Sequence, residues 1–386
     1  MYVCVDLGAS GTRFAGCQGE IKTMPNNTAF LSMDEPITLK PYDNTWKAGL
    51  EVIIEKHGVN NEIFPAHFLL GELAERSSKT NVFPQGMERK MSQKVNLCSL
   101  ITAIAIGVLE QHGATTEEIQ VEAYLALPPT EANSDRDSVN EYVKGKYTVK
   151  LPKFNVQLTF NVSNTSVYEE SFLSLLSYFF DIQGKTKPAA AKYMQGCVMS
   201  LDIGASTCDL AVVENLKYLE KTGKTYRIGG NFTRENLKDS ILAKYGYELN
   251  SKTCEMVMAE GRMPIGNKYE DVSGEVIAAK MKCADEIVNS IVTYFRLIDI
   301  PLTSIRAVIV SGGGSMESQY VDDNGNVVVT APPITQYITD RLRKHCEGIE
   351  VEQYDDNPRT ANIKGLLVRA GLDVRMKTQQ VQPVLG

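Results

Sequence analysis

The sequence predicts an α/β fold in which one architecture is used twice. Strand-like and helical segments alternate along the 386 residues, which is the pattern of α/β proteins. An apolar, strand-like run at residues 2–5 leads into Asp6 and Leu-Gly-Ala-Ser, and a similar run at residues 197–201 leads into Asp202 and Ile-Gly-Ala-Ser. Two unrelated hairpins have no reason to share this motif, so a duplicated architecture is the simpler explanation.

The composition argues against several classes of protein. The net charge of −7 and the pI near 5.4 are unlike those of a protein that coats nucleic acid by itself. The eight cysteines are scattered without a Cys-x-x-Cys pair, which favours reduced thiols over a disulfide framework or a zinc site. The four histidines are not spaced as ligands on one helix, so we expect no histidine-based metal or triad chemistry.

The length and the apolar pattern predict a cytoplasmic protein of two or more domains. No apolar run reaches the expected length of a bilayer-spanning helix, and the longest, around residues 172–180, is interrupted by serines. The chain starts directly in a strand, without the segments of a signal peptide. We therefore expect no membrane contact.

The first half is predicted to begin with strands and to continue through a polar, loop-rich region at about residues 25–92. Apolar residues at helical spacing predict a helix from about Lys94 to His112. The other predicted elements are strands at residues 2–5, 13–17, 20–22 and 121–127, a hairpin over 147–162 and a helix over 167–180.

The second half repeats this order after a linker-like stretch at residues 184–188. A Gly-Gly pair at residues 229–230 precedes a helix that Asn231 or Thr233 is expected to cap. The other predicted elements are the strand that carries Asp202, strands at residues 210–213, 218–222 and 307–310, and helices at 251–260 and 272–298.

Three turns have the composition of nucleotide-binding loops. In the first two, an aspartate (Asp6 or Asp202) ends a strand, and the Gly/Ser/Thr turn that follows presents backbone N–H groups suited to a phosphate. A carboxylate repels bare phosphate oxygens. Each aspartate can therefore contribute to phosphate binding when a hydrated Mg²⁺ lies between the carboxylate and the phosphate. Two such turns facing each other would clamp a nucleoside triphosphate, although each alone also fits an ordinary β-hairpin.

The third turn, Gly312-Gly313-Gly314, follows a buried strand. Glycines allow the backbone to approach a flat ligand or a diphosphate closely, and we expect a helix to start just beyond them. The alternative is an ordinary strand-to-helix turn.

The order of these motifs resembles that of the actin-like ATPase superfamily, which holds actins, heat-shock chaperone ATPases and sugar kinases. Two phosphate loops (residues 6–13 and 202–209) and an adenosine loop (308–315) are accompanied by two connecting helices, one holding Glu169-Glu170 and one at residues 361–367. The resemblance covers essentially the whole chain.

Within the superfamily, the details are most similar to the ParM-type plasmid-segregating bacterial actins. The similarity lies in Ala-Leu-Pro-Pro at residues 126–129, in the hairpin that runs into Glu170, in Asn-Pro-Arg-Thr-Ala-Asn-Ile-Lys-Gly at residues 357–365, and in the short region before residue 94. The sequence departs from that family at Glu169, where a proline is common, and in an extra loop at residues 321–330, where a subunit contact would be remodelled.

The resemblance implies duplicated actin-like (ribonuclease-H-like) domains with ATP and Mg²⁺ in a cleft between them. Domain I would comprise residues 1–184, with a small inserted subdomain at about 30–92, and the C-terminal residues 364–386 would return to it. Domain II would comprise residues 185–363, with an inserted subdomain at about 228–300.

The resemblance also implies roles for individual residues. Asp6 and Asp202 would hold the metal, mostly through water. Glu170 would orient the attacking water, with Glu169 as the alternative; on one helix the two would point roughly 100° apart, so that one of them faces the γ-phosphate. Asp209, Thr12 and Thr207 are expected to support the loops. The expected nucleotide contacts are Gly8, Ala9, Ser10, Gly11, Thr12, Arg13, Gly204, Ala205, Ser206, Thr207, Glu260, Gly312, Gly313, Gly314 and Ser315.

Two of these contacts have alternative interpretations: Arg13 also fits a surface arginine, and Glu260, with Arg262, an exposed end of an amphipathic helix. The function that the resemblance implies is an ATP-driven homopolymeric filament that segregates plasmid or similar DNA through a DNA-binding adaptor protein, without direct contact to nucleic acid. A sugar or small-molecule kinase is the alternative. A chaperone or a membrane-tethered actin fits less well, because the tail at residues 376–386 has neither a substrate-binding region nor an amphipathic helix.

Overall fold

The computed structural model describes residues 1–9, 11–37, 39, 49–85, 88–115, 117–354 and 356–381. The chain divides into two compact units. Unit 1 comprises Met1–Pro188 and Asn362–Gly386, and unit 2 comprises Ala189–Ala361. The predicted linker at residues 184–188 is therefore the end of the first segment of unit 1.

The secondary structure alternates between strands and helices, as the sequence predicts. The strands are β1 (Tyr2–Gly8), β2 (Gly11–Gly16), β3 (Lys22–Met24), β4 (Thr28–Leu31), β5 (Leu50–Lys56), β6 (Ala66–Leu70), β7 (Ile119–Leu127), β8 (Gly145–Leu151), β9 (Val156–Glu169), β10 (Cys197–Ile203), β11 (Cys208–Glu214), β12 (Lys217–Tyr218), β13 (Lys224–Tyr226), β14 (Arg262–Ile265), β15 (Lys268–Asp271), β16 (Ile305–Ser311), β17 (Ser318–Val321), β18 (Val327–Ala331) and β19 (Glu350–Gln353). The α-helices are α1 (Glu72–Arg76), α2 (Lys94–His112), α3 (Pro129–Val143), α4 (Glu170–Phe179), α5 (Gly230–Tyr245), α6 (Ser251–Glu260), α7 (Ser273–Leu297), α8 (Ile334–Leu342) and α9 (Ala361–Val381).

Unit 1 is built on a sheet whose described strands have the order β3-β2-β1-β7-β9-β8-β5-β6-β4. The central strands β1, β7 and β9 are parallel, and the flanking strands are antiparallel. Since parallel strands end at the same edge of a sheet, Gly8, Leu127 and Glu169 mark one edge. Ligands of α/β proteins bind at this carboxyl edge.

Helices cover both faces of the central strands in unit 1. Val3 and Val5 of β1 share a core with α2, whereas Cys4, between them, packs with Tyr124 of β7 and with apolar residues of α4 and α9. Side chains alternate between the two faces of a strand, so a strand buried on both faces is apolar throughout. The run at residues 2–5 has this pattern.

Helix α2 corrects one expectation from the sequence. By length and composition it is apolar enough to cross a membrane, whereas the sequence suggests that no run is long enough. Most of its residues are buried inside unit 1, from Val95 to Val108. A buried core helix of a soluble protein passes the same test of length and composition, and the packing of α2 accounts for its apolar character.

Unit 2 repeats the central topology of unit 1. Its main sheet has the order β12-β11-β10-β16-β19, with β13 also pairing with β11. Strand β10 forms an antiparallel hairpin with β11 and a parallel pair with β16, which is in turn parallel to β19. Strands β2, β1, β7 and β9 have the same order and directions. The predicted duplicated α/β architecture is confirmed.

Three segments of unit 1 differ from the prediction. No helix is predicted where α3 lies. The loop-rich region at residues 25–92 also contains helix α1 and strands β4, β5 and β6, and these three strands extend the sheet. In β5, Leu50, Val52 and Ile54 are buried and the residues between them are partly exposed. Ile53 is one of these, so the sequence lacks the strict alternation of apolar and polar residues that indicates a strand. In addition, residues 167–169 belong to strand β9, so the helix predicted from residue 167 starts at Glu170.

The close approach of α9 and α4 in unit 1 depends on Gly365. A Cβ atom at residue 365 would lie 2.0 Å from the backbone oxygen of Leu173 in α4. Gly365→Ala must therefore push two backbones apart, and we expect it to lower the free energy of unfolding by about 3 kcal/mol. Denaturant unfolding of the purified variant measures this effect.

Gly371→Ala is the matched control on the same helix, because its Cβ would meet the nearest described atom at 3.8 Å. We expect this variant to be as stable as the wild type or more stable by about 0.5–1 kcal/mol, the difference in helix propensity. Equal stability of the two variants would contradict the close-packing argument.

Candidate functional site

The hairpin of β1 and β2 places Asp6 and Arg13 opposite each other at the carboxyl edge of unit 1. Arg13 Nη1 lies 3.3 Å from Asp6 Oδ2, and the two side chains are 12% and 4% exposed. The side chain of Arg13 also packs against Gly8, where a Cβ atom would lie 2.8 Å from Arg13 Nη1. The arginine is thus not an ordinary surface residue; it is held beside the aspartate at the turn.

Asn26, which lies outside this hairpin, forms hydrogen bonds with its turn. Its Nδ2 donates hydrogen bonds to the backbone oxygens of Gly8 (2.6 Å) and Ala9 (3.0 Å). Asn26 is buried in the loop between β3 and β4, and because it belongs to no motif, its role is not predictable from the sequence. These two hydrogen bonds fix the backbone at Gly8 and Ala9. Ser10, predicted at the tip, lies outside the described residues.

Thr12 supplies a buried polar group beside the same turn. Its residue is 1% exposed, and its Oγ1 has no hydrogen-bond partner among the described residues. Buried hydroxyl groups are normally paired, so this one fits a position that a ligand or water completes.

Glu169 and Glu170 lie at the same edge, at the junction of β9 and α4. Glu169 is the last residue of β9, opposite Leu127, and Glu170 is the first residue of α4. The expectation that one helix carries both is therefore wrong. Both residues are buried, so neither is a solvent-exposed charge on a helix surface. β9 is two strands from β1, so the spacing of strands places Tyr168, which is level with Asp6 across β7, about 10 Å from it. Glu170 follows two residues later.

In unit 2, the hairpin of β10 and β11 holds Asp202 at the equivalent position. Asp202 lies opposite Asp209 on β11 and opposite Ser311 on β16, and both aspartates are buried. Thr207 Oγ1 donates to Asp209 Oδ2 at 3.1 Å, and Gly204 N donates to the Thr207 oxygen at 2.8 Å. Asp209 and Thr207 thus support the loop, as predicted for both.

The N-terminus of α5 braces this second turn. The backbone N–H groups of Gly230 and Asn231 donate to the oxygens of Gly204 (3.0 Å) and Ala205 (2.6 Å). The helix begins at Gly230 without a side-chain cap, so the expected capping by Asn231 or Thr233 is wrong. Asn231 Nδ2 instead bonds Ser206 Oγ at 3.1 Å. Within the described chain, the N–H groups of Ala205 and Ser206 donate to no protein acceptor, which suits them to an anion.

The glycines after β16 pack against this hairpin. Gly312 has a φ of +84°, and a Cβ atom there would lie 2.3 Å from both Asp202 Oδ1 and the Ile203 oxygen. At Gly314, a Cβ would lie 2.8 Å from the Gly204 oxygen. These two glycines are therefore needed for the contact with the aspartate loop. The structure gives Gly313 a milder constraint, with Arg359 at 3.3 Å.

A hydrogen-bonded chain fixes the end of the glycine loop. Ser315 Oγ donates to the Gly312 oxygen and accepts from Gln353 Nε2, both at 2.7 Å. Gln353 ends β19 and also accepts from the Thr335 hydroxyl. Gln353 is not predictable from the sequence, because a glutamine at a strand end is not a recognisable motif.

The helix expected directly after the glycines is absent from the described residues that follow them. A short 3₁₀ turn, Gly313–Ser315, is followed by the hairpin of β17 and β18, and α8 starts at Ile334. The predicted extra loop is thus an ordered hairpin. Lys280 of α7 donates to the oxygens of Met316 (3.0 Å) and Pro332 (2.9 Å) at its base, and burial lowers the pKa of this lysine to about 8.

Glu260 and Arg262 lie at the end of α6 and the start of β14. Arg262 Nη2 is 3.3 Å from Glu260 Oε2, and its guanidinium lies over the rings of Tyr269 (5.5 Å) and Tyr320 (4.9 Å). Arg262 therefore joins the hairpins β14–β15 and β17–β18. A nucleoside contact of Glu260 stays a prediction.

Each unit thus has a buried aspartate near the end of its central strand, followed by a glycine-containing turn. Hydrated Mg²⁺ is a hard cation that binds carboxylates and substrate phosphates. The chemistry of Asp6 and Asp202 fits such an ion, and Thr12 Oγ1, which has no partner in the described part of the chain, is consistent with a polar site beside the first turn.

Comparisons with known proteins agree with this topology. Residues 200–320 match the family model of the C-terminal part of the MreB-like archaeal actin homologues. No curated protein sequence matches the chain.

Several solved structures are similar over nearly the full length. The actin-like protein Alp7A (16% identity, TM-score 0.69) aligns over 98% of both chains. The archaeal actin homologue Ta0583 in complex with ADP (15% identity, TM-score 0.64) aligns over 96% of this chain and 98% of its own. ParM of a 15-stranded filament from Clostridium botulinum (16% identity, TM-score 0.63) aligns over 96% of this chain and 99% of its own. The chain therefore has the actin-like fold, and the predicted resemblance to actin-like proteins, ParM among them, is confirmed.

Proposed function

We propose that the protein is an ATPase that assembles into filaments when it binds ATP and Mg²⁺ and that hydrolysis weakens the polymer. The observation that carries this proposal is the repeated pair of a buried aspartate and a phosphate-suited turn, one in each unit, with the glycine loop beside the second. The similar archaeal actin homologue binds ADP, which supports a nucleotide as the ligand.

The chemistry assigned to the residues is mostly electrostatic. Bound Mg²⁺ would neutralise phosphate charge, with Asp6 and Asp202 holding it through water. Arg13 adds a fixed positive charge at the first turn, and Glu170 orients the attacking water. Phosphoryl transfer depends mainly on positioning and charge stabilisation, so a carboxylate that positions water is sufficient for this role.

Binding of ATP to the purified protein tests the first step of this proposal. We expect a fluorescent ATP analogue to bind with Mg²⁺ and to be released by unlabelled ATP and by EDTA. Binding that is unaffected by EDTA would contradict the metal-bridged arrangement.

An apolar surface on unit 2 supports self-association. On the hairpin of β17 and β18, the side chains of Val321, Val327 and Val329 are 66%, 62% and 52% exposed. Val321 lies directly opposite Val327, and Val329 is two residues further on, so the three share one face. Tyr320 is on the other face and contacts Arg262. An outward apolar face is typical of a contact surface, and the similar ParM protein forms a filament.

Val327→Lys tests this surface directly. A charge in the centre of the valine face must be desolvated when two copies meet, and we expect the critical concentration for assembly to rise roughly tenfold or more. Binding of ATP should not change. Sedimentation over a range of protein concentrations measures the effect.

Leu297→Lys is a matched control at an exposed leucine on the last turn of α7. It should assemble as the wild type does. If both variants assemble normally, the valine face is not a subunit contact.

We further propose that the filament moves plasmid or similar DNA through an adaptor protein. The net charge of −7 favours this arrangement over direct binding, since DNA-coating proteins carry a basic excess. Filaments sedimented with linear DNA at low salt should leave the DNA in the supernatant. Co-sedimentation of bare DNA would contradict the need for an adaptor.

A further inference from the structure

Lys90 contacts the proposed water-orienting residue, although it belongs to none of the sequence motifs. Its Nζ donates to Oε1 of Glu170. The two side chains are 20% and 7% exposed, so the pair is largely removed from water. An ion pair in such a place is screened weakly, and its geometry therefore matters more than that of a surface pair.

The backbone of Lys90 is held on both sides by neighbouring helices. Its N–H donates to Glu131 Oε2 of α3 at 2.8 Å, and its oxygen accepts from Asn96 Nδ2 of α2 at 3.0 Å. The preceding residue, Arg89, contacts Asp135 of α3 at 2.6 Å. The backbone of Lys90 is therefore fixed by contacts with α2 and α3, and its side chain contacts the first residue of α4.

We propose that Lys90 is a positioning residue that holds the Glu170 carboxylate ionised and oriented for the attacking water. A carboxylate has about four acceptor positions, so it can bind an ammonium group and a water at the same time. Without the ammonium group, the buried carboxylate loses one contact that fixes its position, and its charged form is less favourable. This inference rests on the proposed ATPase function.

Three variants test it: Lys90→Met, Lys90→Arg, and Lys90→Met combined with Glu170→Gln. We expect Lys90→Met to lower kcat for phosphate release roughly tenfold, the usual effect of losing a partner that orients a functional group. The affinity for ATP should stay unchanged, because Lys90 acts through Glu170. Lys90→Arg, which keeps the charge, should restore most of the rate.

The double variant separates positioning from a merely structural role. In the Glu170→Gln background, followed in single-turnover experiments, Lys90→Met should have almost no further effect on the rate. Lys94→Met is the matched control: it removes a nearby positive charge whose Nζ donates to the Glu62 oxygen, and it should leave phosphate release unchanged. Thermal unfolding of every variant verifies that the chain is folded.

Three results would overturn the inference while leaving the ATPase function intact. The first is wild-type turnover in Lys90→Met. The second is an equal loss of rate on adding Lys90→Met to Glu170→Gln. The third is a failure of Lys90→Arg to restore the rate. Absence of Mg²⁺-dependent turnover in the wild-type protein would instead overturn the proposed function and this inference with it.

Discussion

Glu170→Ala is expected to slow phosphate release by roughly 10²–10³-fold, the effect of removing one positioned catalytic group. Glu170 is the first residue of α4 and is buried at the carboxyl edge of the sheet in unit 1. In the proposed function, its carboxylate orients the water that attacks the phosphate. Assembly in the proposed function depends on ATP binding rather than on hydrolysis, so the variant should still polymerise and its polymer should persist. Phosphate release and sedimentation, followed in one reaction, measure both effects.

Glu169→Ala is the natural comparison, since Glu169 is also buried but ends β9. We expect it to slow phosphate release much less than Glu170→Ala does. Normal turnover of Glu170→Ala together with slow turnover of Glu169→Ala would transfer the role to Glu169.

Asp202→Ala is expected to abolish the Mg²⁺-dependent part of ATP binding. A bound metal contributes several kcal/mol of charge stabilisation, so the affinity should fall by roughly 10³-fold. The side chain of Asp202 also lies beneath the glycine loop, where Gly312 leaves no room for a Cβ. Titration of a fluorescent ATP analogue, with and without Mg²⁺, measures the loss.

Asp239→Ala serves as the control, because Asp239 is an exposed aspartate on α5. Its binding curve should match that of the wild type. Unaltered Mg²⁺-dependent binding by a folded Asp202→Ala protein would contradict the assignment of Asp202 to the metal.

The parts of the site that lie in one short segment were predictable from the sequence. Asp6 and Asp202 each follow an apolar, strand-like run and precede a glycine-containing turn. The aspartate and its turn can therefore be recognised from one short segment of sequence. Helix α2 was predicted at its observed bounds, because its apolar spacing is continuous from Lys94 to His112.

The parts that depend on contacts between distant segments could not be predicted. Asn26, Lys90 and Gln353 are polar residues of common types, and each acquires its role only when the fold places it against a turn or a glutamate. The start of α4 was missed for the same reason, since pairing with β7 keeps residues 167–169 extended in β9. The strands β5 and β6 pair antiparallel with one another, and β5 also pairs with β8. These pairings join segments that are distant in the sequence, so they could not be predicted from it.

The most direct test of the central claim follows light scattering, pelletable protein and released phosphate together, with Mg²⁺ and ATP, ADP or no nucleotide. We predict polymer with ATP that decays as phosphate is released, and no lasting polymer with ADP or without nucleotide. A clear solution with ATP over a wide range of protein concentrations would contradict a dynamic filament, and phosphate transfer to a small-molecule acceptor would then be the function to assay.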